Sequence, residues 1–227
     1  MPVSQVLASQ VNSLTYQDNS WSGCRTNPNG SIQPPPSTRD AWVKKQAGRG
    51  GTIYDIARIF TIFDTSAFAG TITAVDLLFS SLGSPNTLMN VIAVESTAYG
   101  GSPTGPISIS DYGALNWAQT YTAASSIPTA GTGITIAGNA NFVSLANSGT
   151  ANIAIINGTY DQQDVDPAGQ IWTEIYLDID EQNLGSTYLS ITHTAAGYGN
   201  DVNGVASADI SSINAVATAD IFEVNGV

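Results

Sequence analysis

A chain of 227 residues with a formal net charge of −12 and only 11% charged residues must draw its solubility from Ser, Thr, Asn, Gln and Gly. Its 42% apolar content is too high for a disordered chain and sufficient for one large domain or two small ones. The acidic balance argues against nucleic acid and anionic membrane as partners, since both are polyanions, and the single cysteine, Cys24, excludes a disulfide-built domain.

The chain opens on Met1-Pro2-Val3-Ser4-Gln5, which lacks the basic and apolar regions of a signal peptide. No stretch reaches the length of a membrane span, so the expectation is synthesis in a host cytoplasm. All six bases, Arg25, Arg39, Lys44, Lys45, Arg49 and Arg58, lie at or before position 58, and fifteen of the eighteen acids follow it. Residues 1–50 open on weakly apolar positions (Val3, Val6, Leu7, Val11, Leu14) and pass through turn residues. They reach Pro34-Pro35-Pro36, which favours extended polyproline geometry. Ser37–Lys45 reads as a short helix capped by Ser37 or Thr38, and Gly48-Arg49-Gly50-Gly51 breaks it. This pattern predicts an extended N-terminal docking arm over residues 1–50. Its Arg25, Arg39, Trp42, Lys44, Lys45 and Arg49 would meet an acidic neighbour.

From residue 51 to 227 the pattern is β. Ile53–Asp64 is apolar on both faces, as in a strand buried within a sandwich, and Thr71–Phe79 follows it after the Ala69-Gly70 turn. Further strands are predicted at Leu88–Val94, Ile134–Ile136, Ala151–Ile156, Ile171–Ile179, Tyr188–Thr192 and Ile221–Val224. Asp111–Tyr121 reads as a helix with Asp111 at its N-cap. Many short strands between Gly, Ser, Asn and Pro turns indicate an all-β fold, an antiparallel β-sandwich with at most one or two short helices.

The segment Arg58-Ile59-Phe60-Thr61-Ile62-Phe63-Asp64-Thr65-Ser66, followed by Ile72-Thr73-Ala74-Val75-Asp76-Leu77-Leu78-Phe79, resembles a jelly-roll module of phage virion structural proteins and bacterial carbohydrate-binding-like domains. Ser110-Asp111-Tyr112, Thr187–Ile191 and Ala219–Val224 are similar to its later pieces, so the likeness spans roughly residues 53–224. The resemblance implies a jelly-roll β-sandwich with the fold signature Arg58, Asp64, Thr65 and Ser66. Read physically, Arg58 on an apolar strand needs a buried carboxylate, for which Asp64 and Asp76 are candidates. Asp64-Thr65-Ser66 leaves the strand as an Asx/Ser turn.

Three other groups are candidates for chemistry. Asp161, Asp164 and Asp166 place three carboxylates within one loop and form a candidate structural Ca²⁺ site; Asp178, Asp180 and Glu181 form a second acidic group. Trp172 and Tyr176 share one strand face and are candidate glycan-stacking residues, alongside Trp117, Tyr188 and Tyr198. His193 is the single histidine and lies near no Gly-x-Ser-x-Gly elbow. Cys24 has no recognisable partner, and no pair of acids stands out for glycoside hydrolysis. The expectation is therefore a non-enzymatic virion structural protein, a phage capsid decoration or head-fibre protein on the virion surface. It would bind other virion proteins and sister subunits as a homo-oligomer. The alternative is a carbohydrate-binding module or adhesin, tail-associated or on a cell surface.

Overall fold

The structure, a computed structural model, describes residues 1–32, 38–68, 70–83, 87–88, 90–126, 133–178, 187–194, 212–213 and 216–217. In chain order these hold β1 (Val3–Asp18), α1 (Trp21–Thr26), β2 (Ser31–Ile32), β3 (Thr38–Gly48), β4 (Gly51–Asp64), β5 (Ile72–Gly83), β6 (Thr87–Leu88) and β7 (Asn90–Ser96). Two 3-10 turns follow, Ala98–Gly101 and Ile109–Gly113. Then come β8 (Leu115–Thr120), β9 (Ser125–Ser126), β10 (Gly133–Ala137), α2 (Ala140–Asn147), β11 (Thr150–Asn157), β12 (Ile171–Asp178) and β13 (Thr187–His193). A small ribbon, β14 (Ser212–Ile213) with β15 (Val216–Ala217), ends the described chain. The fold is an antiparallel β-sandwich; the parallel β6–β12 contact is a short exception.

One layer is built from the opening half of β1, then β13, β5 and β10. The other centres on β4, which pairs with β1 along one edge. Along its other edge β4 pairs with β3 through Gly51–Ala57 and with β11 through Ile59–Asp64. β12 flanks β3, and β7 and β8 extend the layer beyond β11. Between the layers lies the main core, with Ile59 and Phe63 of β4, Val75, Leu77 and Phe79 of β5, Ile153 and Ile155 of β11, and Leu189 and Ile191 of β13. α2 closes it with Phe142 and Ala146. Its first turn is fixed by Asn139, whose side chain accepts from the N–H groups of Asn141 and Phe142 and so satisfies donors that lack a helical partner.

The opposite face of β4 is also buried, which accounts for a strand apolar on both sides. Phe60 and Ile62 pack with Leu14, Ile92, Tyr99 and Tyr112 under the loop of residues 97–114. Tyr54 and Ile56 pack with Trp21, Cys24 and Val43 beneath α1. Tyr99 holds the loop down although its φ of 59° lies in the left-handed region. Its hydroxyl donates to the Phe60 carbonyl (2.7 Å) and its N–H to the Asp111 carboxylate (3.2 Å). These two bonds offset a backbone conformation that costs about 1–3 kcal/mol.

Three expectations are overturned. Residues 1–50 are not an arm: β1 lies between β13 and β4, and β3 between β12 and β4, so the first fifty residues are structural members of both layers. The helix read over Ser37–Lys45 is the strand β3. An alternation that buries Ala41 and Val43 on one side and seats Trp42 and Lys44 on the other is satisfied by sheet pairing, which outweighs local helix propensity. The helix read over Asp111–Tyr121 is instead a 3-10 turn, Ile109–Gly113, followed by β8: its N-cap is Ser108 rather than Asp111, whose carboxylate accepts from the Ser108 N–H at 2.9 Å, and Leu115–Thr120 pairs with β7. Ile179 and the strand predicted at Ile221–Val224 lie outside the described residues.

Candidate functional site

Arg58 projects from β4 between the two outer clusters and is fully buried. Its partner is neither Asp64 nor Asp76 but Asp161, from the loop after β11. Arg58 Nε donates to Asp161 Oδ2 at 2.9 Å and Nη2 to Oδ1 at 2.9 Å, a bidentate pair with both ends out of water. Two further donors are used on backbone: Nη1 to the Tyr112 carbonyl (2.8 Å) and Nη2 to that of Arg25 (2.7 Å). Above the guanidinium plane lie the rings of Tyr112, with its centroid at 4.2 Å, and Trp117, at 4.6 Å. Burial alone pushes the guanidinium pKa down, but the Asp161 carboxylate and its hydrogen bonds hold it above the ordinary value. Asp64 instead terminates β4 by accepting from Ser66 N–H (3.0 Å) and Oγ (2.6 Å), and Thr65 Oγ1 donates to Ala146 O (2.7 Å).

The same loop consumes the bases expected to form a docking surface. Arg25 on α1 is buried, donates from Nε to the Asp161 carbonyl (2.7 Å) and lies 3.5 Å from Asp164 Oδ2. Its guanidinium stacks 4.1 Å from the Trp117 ring centroid. Asp164 also accepts from Trp21 Nε1 at 2.9 Å. Lys45 pairs with Asp166 at 2.8 Å, and Tyr54 donates to the other oxygen of that carboxylate at 3.0 Å. Arg39 donates from Nε to the Val11 carbonyl at 3.1 Å. Among the described residues Arg49, at the tight turn between β3 and β4, is the base that reaches solvent with neither ion pair nor hydrogen bond. Arg25, Arg39 and Lys45 are thus bonded within the fold, whereas Arg49 is not.

That arrangement also corrects the Ca²⁺ assignment. Asp161, Asp164 and Asp166 do not converge: each carboxylate turns to a different set of basic and aromatic partners from α1, β3 and β4. No group of three or more His, Cys, Asp or Glu side chains capable of holding a metal occurs among the described residues. The side chains of Asp178, Asp180 and Glu181 lie outside the described ones.

His193 closes the seam between β13 and the chain start, with Nε2 3.1 Å from Ser4 Oγ and its ring centroid 5.0 Å from that of Phe68. Cys24 is buried with Sγ donating to the Tyr16 carbonyl at 3.0 Å, and burial pushes its thiol up to about 12. Neither has the arrangement of a nucleophile and base.

A solvent-open feature lies on the β3–β12 pair. Cross-strand pairing sets Lys44 against Trp172 and Trp42 against Glu174. The Lys44 ammonium lies between two indoles, 3.8 Å from the ring centroid of Trp42 and 4.2 Å from that of Trp172. Trp42 is nearly buried and donates from Nε1 to Asp55 Oδ1 at 2.9 Å, an oxygen that also accepts from Thr15 Oγ1 at 2.8 Å. Trp172 donates from Nε1 to the buried Glu174 carboxylate and leaves 45% of its surface exposed. Partial burial lowers the Lys44 pKa, against the pull of Asp55, Glu174 and Asp40. Beside Trp172 runs a shallow groove of about 250 Å³ lined by Lys44, Lys45, Gln46, Gln170 and Ile171.

Of the residues read from the sequence as site candidates, the fold therefore brings Lys44, Trp42 and Trp172 together. The side chain of Tyr176 lies outside the described ones. Asp55, Gln46 and Gln170 were not marked by any motif. Only the strand pairing that sets Asp55 opposite Lys44 reveals the first of them. Compared with known proteins, the chain matches no family model and no curated protein sequence.

Proposed function

We propose that the chain is a non-enzymatic structural protein of a virus particle, a capsid decoration or head-fibre subunit displayed on the virion surface, with a tail-associated position as its nearest variant. The single observation that carries the reading is the outward face of the β1–β13–β5–β10 layer. Across it, Leu7, Tyr188 and Leu78 stand in one pairing row, and Val3, Thr192 and Ala74 in another. Val3 and Leu7 are 64% and 53% exposed, and Gln5 and Ala74 are exposed beside them. Between the two rows runs that of Gln5, Ser190 and Asp76, whose carboxylate is the one charged side chain among the residues of these three rows. In a molecule of net charge −12, this is where an acidic neighbour can approach with least repulsion.

The face thus replaces the N-terminal arm as the attachment surface, and it suits sister subunits in a symmetric homo-oligomer or another virion protein. The resemblance of Arg58–Ser66 and Ile72–Phe79 to a virion jelly-roll module supports the same reading. Its test is the composition of purified particles. The chain is expected among the virion proteins, and Leu7→Asp combined with Leu78→Asp is expected to release it while preserving the fold. Absence of the chain from particles would end this reading.

A second reading, a carbohydrate-binding module or adhesin, is favoured by one specific observation: the exposed Trp172 ring beside the β3–β12 groove.

A further inference from the structure

Three polar groups at this groove have unused hydrogen-bonding capacity. Lys44 is half-buried, yet its ammonium meets two indole faces and donates to no described oxygen. The amides of Gln46 and Gln170 are exposed and make no hydrogen bond to a described residue. Trp172 forms the apolar wall beside them.

An aromatic wall next to uncommitted amides and an N–H donor matches a ligand with one apolar face and a rim of hydroxyls, which is the chemistry of a pyranose ring. The ring's C–H face stacks on indole, each amide offers a donor and an acceptor to vicinal hydroxyls, and Lys44 donates to a further oxygen.

Charge selects among saccharides. Lys44 and Lys45 at the groove are offset by Asp55, Glu174 and Asp166, with Lys45 already paired to Asp166. No net positive field remains to favour a sugar carboxylate or sulfate. The groove is open and shallow, so it suits a segment of a glycan chain lying along the sheet rather than an enclosed monosaccharide.

Resting on the carbohydrate reading, the geometry points to a binding site for a neutral oligosaccharide at Trp172, Lys44, Gln46 and Gln170. Binding through one exposed ring and a few hydrogen bonds is weak singly, with Kd on the order of 1 mM, and copies arrayed on a particle would add avidity.

The experiment titrates the full chain with neutral oligosaccharides (gluco-, galacto-, manno- and N-acetylglucosamine oligomers) and, in a parallel arm, with oligouronates. Tryptophan fluorescence and saturation-transfer NMR are the readouts. At least one neutral series is expected to saturate. Trp172→Ala is expected to weaken that binding more than tenfold, and Gln46→Ala with Gln170→Ala about tenfold. Trp172→Phe, which keeps a stacking ring, is expected to retain most of it, and it decides the matter should Trp172→Ala unfold the chain. Binding of oligouronates alone overturns the neutral assignment while leaving the carbohydrate reading standing. Failure of every saccharide overturns both. Undiminished binding by a folded Trp172→Ala protein overturns the site.

Discussion

Arg58 and Asp161 form a pair whose strength lies in completeness rather than in attraction. Desolvating two charges costs several kcal/mol, and the bidentate geometry with two further donors bonded to backbone carbonyls is what offsets it. Removing one member therefore costs far more than removing both. Asp161→Ala is expected to destabilise the protein by about 3–5 kcal/mol, read as a fall in the urea midpoint. Arg58→Met with Asp161→Leu together is expected to recover most of that loss. Asp64 behaves differently, because it is exposed and its role is to cap. Hydrogen bonds from Ser66 hold its carboxyl below the ordinary 3.8, so the folded state favours the ionised form. Its contribution is complete above the ordinary carboxylate range and disappears as pH falls through the lowered value. The gap in melting temperature between the wild type and Asp64→Ala is accordingly expected at neutral pH and should close in acid.

At the scale of elements, the decisive strand is β1. Its register slips between Ala8 and Gln10, so the side turned to the core changes from the even positions Val6 and Ala8 to the odd position Val11. A bulge of this kind breaks the period-2 signal in mid-strand, which is why Val3–Asp18 reads as a weakly apolar tail. By contrast β4, β5, β11 and β13 carry unbroken alternation or β-branched runs, and their positions are plain from sequence. Lys and Trp in β3 imitate a solvent-facing helix until a partner strand supplies Trp172 and Glu174 across from them. The Arg58 pair was legible as a need for a carboxylate but not as Asp161, since that partner is brought in by a loop a hundred residues away. A chain of residues 51–227 is expected to lack dispersed amide resonances and a cooperative melting transition, because it loses β1 and β3. An independently folding truncation would show that the first fifty residues are dispensable after all.

Taken whole, the molecule keeps the Cys24 thiol and the Tyr99 and Tyr112 hydroxyls neutral by burial. Burial pushes Cys24 up to about 12 from an ordinary 9.0 and raises Tyr99 and Tyr112 above an ordinary 10.0. In each case the unfolded chain releases its proton first, so stability is retained below the unfolded value and falls as pH rises through it. Each fully buried group removes about 1.4 kcal/mol per pH unit in that window. Equilibrium unfolding is expected to show little pH dependence from neutral pH to about pH 8.5 and a steep loss beyond about pH 10. The pairing of Val3 with Thr192 has a consequence for biosynthesis. The opening half of β1 leaves the ribosome well before its β13 neighbour and must wait unpaired until that strand has been made. Such a long closure is slow and leaves hydrogen-bonding edges open to other nascent chains. Assembly of this layer is thus a late clasp, and crowding during synthesis is its period of greatest exposure.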